Sequence, residues 1–167
     1  MFREMRRFKQ ILPEEITLKI MKKCPTGVMG CLTEDGYPYT VPVTFAYADG
    51  KIYMHGAQEG QKVDAIKNCD KVTFSVIETD ELHPEKLTTF FRSVSVFGRA
   101  RIVEDPVEKE YGVRLVCDKI CKYVPKEQVE EELKGLPHTG VICIDVEHMV
   151  GKEAIEFVKQ RAAGELD

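Results

Sequence analysis

Residues 27–56, GVMGCLTEDGYPYTVPVTFAYADGKIYMHG, decide the fold. β-branched and aromatic runs alternate there with two Asp-Gly pairs, Asp35-Gly36 and Asp49-Gly50. Asp-Gly between β-prone runs is a strong hairpin signal, because the favoured tight turns need positive φ at their centre. The stretch therefore reads as three short strands joined by two turns, an antiparallel meander. Pro42 interrupts the second strand, TVPVTF. Proline has no N–H to give to a ladder, so this strand belongs at a sheet edge or a bulge. An edge leaves main-chain groups to which a ligand can hydrogen-bond.

The chain on either side fits a small barrel. Upstream, Pro13-Glu14-Glu15 opens an amphipathic helix with Ile16, Ile20 and Met21 at helical spacing, which Pro25 and Gly27 end. Downstream, GQKVDAIKNCDK (60–71) reads as a short helix with Val63, Ile66 and Cys69 inward, and KVTFSVIET (71–79) as a strand alternating Val72, Phe74 and Val76. TDELHPEKL (79–87) is polar, contains a proline and reads as a loop. TTFFRSVSVFGRARIVED (88–105) is a long strand with Gly98 as a bulge or close-approach point. Pro106 starts a helix through Val124, Pro125 starts a second whose acidic run reads as a solvated face, and TGVICIDVEHM (139–149) is the last strand.

The expectation is a mainly β, α+β protein: a six-stranded antiparallel barrel with peripheral helices. It forms one domain over residues 1–167, with 1–26 as an N-terminal helix region, 27–149 as the barrel with inserted helices, and 150–167 as a C-terminal helix.

Composition narrows the function classes. A chain of 167 residues suffices for one domain with a real core, and 43% hydrophobic with 31% charged residues is ordinary for a soluble protein. A net charge of -4 argues against nucleic acid. The basic cluster Arg3, Arg6, Arg7 and Lys9 reads as a solvated lead-in. Neither a membrane span nor a signal peptide is visible, so a cytoplasmic protein is expected. The six cysteines contain no CxxC pair and no matching histidine spacing, which leaves no zinc pattern and no metal expected. They read as reduced thiols. Cys117 and Cys121, four apart, would share a helix face; two apolar core positions is the favoured reading over half a metal site.

Candidate chemistry lies where the third strand meets the first inserted helix. In YMHGAQEGQK (53–62), Gly56 lets backbone approach a ligand and Gly60 can take a positive φ before the helix. The amides of Gln61 to Val63 then point unpaired at the turn, and Lys62 adds a cation, which together make an anion site. His55 could donate to the same anion; a packing histidine beside a ligand-free glycine turn is the alternative. Ser93 and Ser95 alternate with Val94 and Val96, so both hydroxyls fall on one face, to hold a ligand or simply to meet water.

The ordered set, a DGYPYTVP strand, the YMHGAQEGQK turn, a helix, FRSVSVFGRA and EDPVEK, resembles the FMN-binding split-barrel family related to pyridoxamine 5'-phosphate oxidase. The similarity runs from Pro13 to Lys152, and the nitroimidazole-resistance type is the most similar subgroup. The resemblance implies FMN at a homodimer interface. The backbone of Pro42, Val43 and Thr44 would lie along the isoalloxazine. His55, Gly56, Ala57 and Lys62 would hold the ribityl phosphate, with Gly60 shaping the turn. Ser93, Val94 and Ser95 would line the pocket, and Gly151 and Lys152 would approach the partner's flavin. The extra basic residues with which pyridoxamine phosphate oxidase grips its substrate are missing.

The implied function is an FMN-dependent oxidoreductase in which a transient donor reduces the flavin and a small acceptor, such as a nitroaromatic, reoxidises it. His55 would be the proton donor or only a cofactor ligand. The alternatives are a flavin-binding module acting as carrier or sensor, an oxidase of the pyridoxamine phosphate type, and a structural dimer without cofactor. There is no GxGxxG, so a nicotinamide would have no fold of its own to bind.

Overall fold

The computed structural model describes residues 2–165. Seven strands form one antiparallel sheet: β1 (Thr26–Leu32), β2 (Pro38–Thr44), β3 (Ala46–Ala48), β4 (Lys51–Gly56), β5 (Lys71–His83), β6 (Thr88–Ile102) and β7 (Gly140–Glu153), in the order β2-β1-β5-β6-β7-β4-β3. Five helices surround it: α1 (Glu14–Lys23), α2 (Gln61–Asn68), α3 (Pro106–Ile120), α4 (Lys126–Leu133) and α5 (Ile155–Ala162).

The two Asp-Gly turns form as expected. Gly36 has φ 86°, and Asp49 and Gly50 have φ 49° and 75°, both positive as a two-residue hairpin turn requires. The six expected strands become seven because the second breaks at Phe45. Its first half pairs with β1 and its second half with β4, so one run of chain supplies both ends of the sheet. Phe45 marks the corner: its side chain is fully buried, it meets Phe74 edge-on at 4.9 Å, and its amide donates to the Pro25 carbonyl at 3.1 Å. The curled sheet is thus stitched by a covalent corner and is not hydrogen-bonded shut. Inside it lie Met29, Phe45, Ile52, Met54, Phe74, Val76, Val94, Val96 and Ile144, and α1 adds Ile20 and Met21.

Two boundaries differ from expectation. Residues 79–83 are strand, not loop: β5 and β6 stay paired out to His83 and Thr88, across a register shift between Ile77 and Thr79. The β5 side of this arm is exposed at Asp80, Glu81 and Leu82 in succession and loses the apolar alternation by which a strand is recognised, while on the β6 side Phe90 is buried against the His83 ring and Phe157 of α5. β7 likewise runs on to Glu153, pairing Ser93 with Lys152 and Arg92 with Glu153, and the C-terminal helix begins only at Ile155. Glu153 is fully buried, held by Arg92 at 3.2 Å and by Arg161 from α5. Gly98 is the close-approach point expected of it. A Cβ there would run into the Asp145 carbonyl and lie 2.8 Å from Ile144 Cγ2, beside the irregularity in the β6–β7 register.

α3 packs on the outside of β4 and ends at Ile120, short of Val124. Asp105 caps it, accepting from the Glu108 amide at 2.9 Å, and Pro106 occupies its first turn. Gly112 lets the helix settle onto Tyr53, whose Cδ1 lies 2.6 Å from where a Cβ would be. Val113, Tyr53, Val103, Val141 and Cys143 make a second small core beneath it. α4 has no buried residue. All six cysteines are free thiols, with Cys24, Cys31 and Cys143 buried; Cys117, half-buried, packs against the second core as expected, and Cys121 is half-buried. No helix among the described residues is long and apolar enough to cross a membrane, and no cluster of three or more metal-ligating side chains occurs among them.

Candidate functional site

The strand-to-helix turn has the geometry of an anion cradle on one face. Gly60, with φ 122°, stands where no side chain sits comfortably, and α2 starts at the next residue without any side-chain cap. The Gly60 carbonyl accepts from the amides of Val63 at 2.8 Å and Asp64 at 3.1 Å. Val63 is therefore not an unpaired donor; the first turn tightens and consumes it. The amides of Gln61 and Lys62 remain as donors at the helix start. The Lys62 ammonium lies 3.4 Å from the point a Gly56 Cβ would occupy, and among the described residues it makes no ion pair. A Cβ at position 56 would touch the ammonium at van der Waals distance, and a longer side chain would compete with it for space.

Lys62 also links the turn to the end of β1. Burial pushes the Cys31 thiol up, and the Lys62 charge partly offsets that. Cys31 pairs with Tyr39 of β2, so the cradle sits at the barrel end where the β1–β2 loop turns. Glu59 and Asp64 flank Lys62 in sequence, but both are exposed and solvent weakens their pull. The far side of the turn is pinned. Gly140 has no room for a Cβ against Ala57, and the Gln58 side chain donates to the Pro137 carbonyl at 2.8 Å.

His55 does not share that face. Successive strand residues point to opposite sides. Met54 lies in the barrel core, and Gly56 turns towards Lys62 on that same side. Tyr53 and His55 point outward, to α3 and α4. His55 stands at the rim of a cavity of about 400 Å³ whose walls include Val113, Cys117, Ile120, Val129, Leu133 and Leu136. Gln128 and Glu132 line it too, so the acidic run of α4 is not solely a solvated face.

Of the remaining predicted residues, Pro42, Thr44, Ser93, Ser95 and Lys152 lie on the outer face of the sheet, while Val43, Val94 and Gly151 face inward. β2 is an edge strand as Pro42 requires, with β1 its only partner, so the outer main-chain edge of Pro42 to Thr44 is not used by the ladder. Pro42 is exposed, Val43 packs on the core and Thr44 is half-buried. The registers Val28 with Pro42, Val28 with Ser75, Ser75 with Ser95 and Ser95 with Val150 place Pro42 and Ser95 in one row. They are three strand spacings apart, about 14 Å. Ser95 is exposed and Ser93 half-buried, while Val94 is wholly inside the barrel. Since β6 is paired on both sides, only the two hydroxyls of that trio face outward. Lys152 pairs with Ser93 and lies 5.2 Å from the Phe91 ring; Gly151 pairs with Val94 and is closed in by Leu12 and Thr17.

One chain thus carries three groups: the cradle at the barrel end, the β2 edge, and the Ser93/Ser95 face three strands away from that edge. A larger hollow of about 530 Å³ on the outer face, lined by Gly30, Thr73, Phe97 and Arg99 among others, holds none of the predicted residues. The cavity behind His55 was invisible in the sequence, since its walls come from β4, α3, α4 and the chain before β7.

The sequence matches the family model described as pyridoxamine 5'-phosphate oxidase over residues 13–153. No match to a curated protein sequence was found. Among solved structures the chain is similar to a candidate 5-nitroimidazole antibiotic resistance protein from Bacteroides thetaiotaomicron, at 20% identity over 86% of each chain with a TM-score of 0.71. It is similar to the flavocytochrome Anf3 from Azotobacter vinelandii, at 23% identity over 90% of this chain and 72% of that one, TM-score 0.74. It is also similar to an FAD-binding protein from Mesorhizobium loti, at 21% identity over 87% of this chain and 97% of that one, TM-score 0.64. At such identities the likeness is one of fold.

Proposed function

The chain belongs to the pyridoxamine 5'-phosphate oxidase family, and we propose that it is an FMN-binding oxidoreductase, working as a homodimer, that passes electrons to a small acceptor such as a nitroaromatic. The observation that carries the flavin reading is the cradle: a glycine with no Cβ beneath the ammonium of Lys62, at a helix start that has no side-chain cap. These are the groups a phosphate dianion needs, namely open space, backbone donors and a positive charge. Two structural neighbours, the flavocytochrome and the FAD-binding protein, point the same way.

The residues fit the cofactor in the following parts. Gly56, Ala57, Gly60 and Lys62, with the Gln61 and Lys62 amides, hold the phosphate end. His55 contributes main chain to that turn, while its imidazole faces the cavity on the other side of β4. The unpaired edge of Pro42, Val43 and Thr44 offers main-chain groups to a planar ring system. Ser93 and Ser95 offer hydroxyls from a face that a second subunit would cover. The separation of the β2 edge from the Ser93/Ser95 face in one chain supports a site completed by a second subunit. Bound FMN would supply the redox chemistry, and the protein its position and surroundings.

The test is the visible spectrum of the purified protein, followed by titration with FMN and with FAD by quenching of flavin fluorescence. Lys62→Glu should weaken FMN by about 1.5–3 kcal/mol, roughly 10- to 150-fold, the worth of a hydrogen bond to a charged group. A colourless protein that takes up neither flavin, or a Lys62→Glu protein with unchanged uptake, would refute the reading. Reduction of the bound flavin by NADH or NADPH, with reoxidation by a nitroaromatic, separates an enzyme from a flavin-binding module.

A further inference from the structure

The last two residues of β4 face opposite sides of the strand: Gly56 towards the Lys62 ammonium, His55 towards the cavity of about 400 Å³ under α3 and α4. We propose that this cavity is a binding site for a small uncharged molecule, distinct from the flavin site of the reading above.

Size and lining fix the ligand class. The volume falls in the range of small-molecule sites, at its lower end. The floor is aliphatic, built by Val113, Ile120, Val129, Leu133 and Leu136. Polar groups are few: His55, Gln128, Glu132 and Thr139, with the half-buried thiols Cys117 and Cys121 in the wall. Few polar groups around an apolar hollow orient a ligand without gripping it by charge.

Charge then decides what is refused. Neither lysine nor arginine lines the cavity, and Glu132 is its one permanently charged side chain. A phosphate or carboxylate entering would lose water and gain no cation, while meeting a carboxylate of like sign. Lys62 is on the other face of the strand, and Arg114, Lys122 and Lys126 line an adjoining hollow that shares Cys117, Cys121, Val124 and Val129 with the cavity without lining the cavity itself. β4 therefore separates an anion-binding side from a neutral side. Phosphorylated substrates of the pyridoxamine phosphate kind are excluded from the pocket, and uncharged aromatic or aliphatic molecules are admitted. α4, with no buried residue, forms a wall that can adapt to the shape of the occupant.

The experiment uses the full chain and the neutral fluorophore N-phenyl-1-naphthylamine. Saturable fluorescence at one site per chain is expected, reversed by nitrobenzene at concentrations at least about tenfold lower than by 4-nitrobenzoate. Leu133→Trp, which fills the cavity, should abolish the signal. Val129→Trp repeats this from another wall in case the first variant misfolds. Glu132→Lys, on the exposed rim, should keep the neutral probe and close most of the gap between nitrobenzene and nitrobenzoate. Probe binding untouched by both tryptophan variants, or nitrobenzoate displacing as well as nitrobenzene, would overturn the proposal. FMN affinity measured on the same samples separates the two readings. Normal FMN uptake without probe binding sinks the pocket alone, and variant-sensitive probe binding without FMN uptake sinks the flavin reading alone.

Discussion

Replacing Glu108 with glutamine should detach α3 from the barrel energetically without removing any apolar surface. The carboxylate accepts from Arg101 Nη1 at 2.9 Å and Nη2 at 2.5 Å, and from the Tyr53 hydroxyl at 3.0 Å; Lys51 stands 3.9 Å away. Chiefly through the Arg101 hydrogen bonds, and against the opposing effect of burial, its pKa falls from 4.5 to about 2. That difference corresponds to roughly 3 kcal/mol of differential stabilisation of the charged form. The side chain is 23% exposed, so solvent screening trims the figure to about 1–3 kcal/mol. Because the folded pKa lies below the unfolded one, the contribution is complete above about 4.5, fades as the pH falls, and is exhausted below about 2. Urea denaturation of wild type and Glu108→Gln should thus differ by about 2 kcal/mol at pH 7, with roughly half of the gap gone by pH 3. A gap below about 0.5 kcal/mol at neutral pH, or one that does not shrink in acid, would refute the argument.

Three further outcomes follow from the packing. Gly98→Ala forces a methyl group against the Asp145 carbonyl and Ile144, and should cost about 1–3 kcal/mol in thermal or chemical denaturation. Lys119 is held under α1, donating to the Met21 carbonyl at 3.0 Å with its ammonium 3.7 Å from the Phe45 ring centre, and burial pulls its pKa down to about 8. A cation whose folded pKa is depressed penalises the fold while charged, so wild-type stability should gain between pH 8 and 10 relative to Lys119→Met. In the native state Ellman's reagent should reach Cys69, Cys117 and Cys121 quickly, and buried Cys24, Cys31 and Cys143 only on unfolding; burial also holds the Cys143 thiol at about 11.

The meander was legible because its signals are local. Asp49-Gly50 needs positive φ at both positions, and Pro42 needs an edge, whatever surrounds them. The break at Phe45 was not legible. VPVTFAYA has unbroken strand propensity, and what divides it is a change of partner from β1 to β4 as the sheet curls, a tertiary event with no residue of its own to announce it. The β5–β6 arm was missed for the opposite reason. Pairing out to His83 and Thr88 is real, but Asp80, Glu81 and Leu82 are exposed in succession and carry no alternation. Glu153, at the end of β7, was absorbed into an expected helix because its buried partners Arg92 and Arg161 lie 61 and 8 residues away in the chain.

The candidate site was read from composition at one turn, and composition does not say which way side chains point. His55, Gly56 and Lys62 in one short stretch looked like parts of a single cradle. Strand alternation, which is as general as the hairpin rule, places His55 on the other face from Gly56. Applied to YMHG with Met54 taken as core, it sends Gly56 inward and His55 outward, and that division is also what the packing of Tyr53 under α3 requires. The alternation could have been used on the sequence alone. What could not is the cavity His55 faces, whose walls come from two helices separated from it by more than fifty residues and joined to it only through the docking of α3. Weakening the docking of α3, as loss of the Glu108 network should do, therefore bears on the function: it would loosen the neutral side of β4 and leave the Lys62 side in place. Glu108→Gln protein should consequently keep its FMN affinity while losing affinity for N-phenyl-1-naphthylamine, and a parallel loss of both would mean that β4 does not separate the two sides.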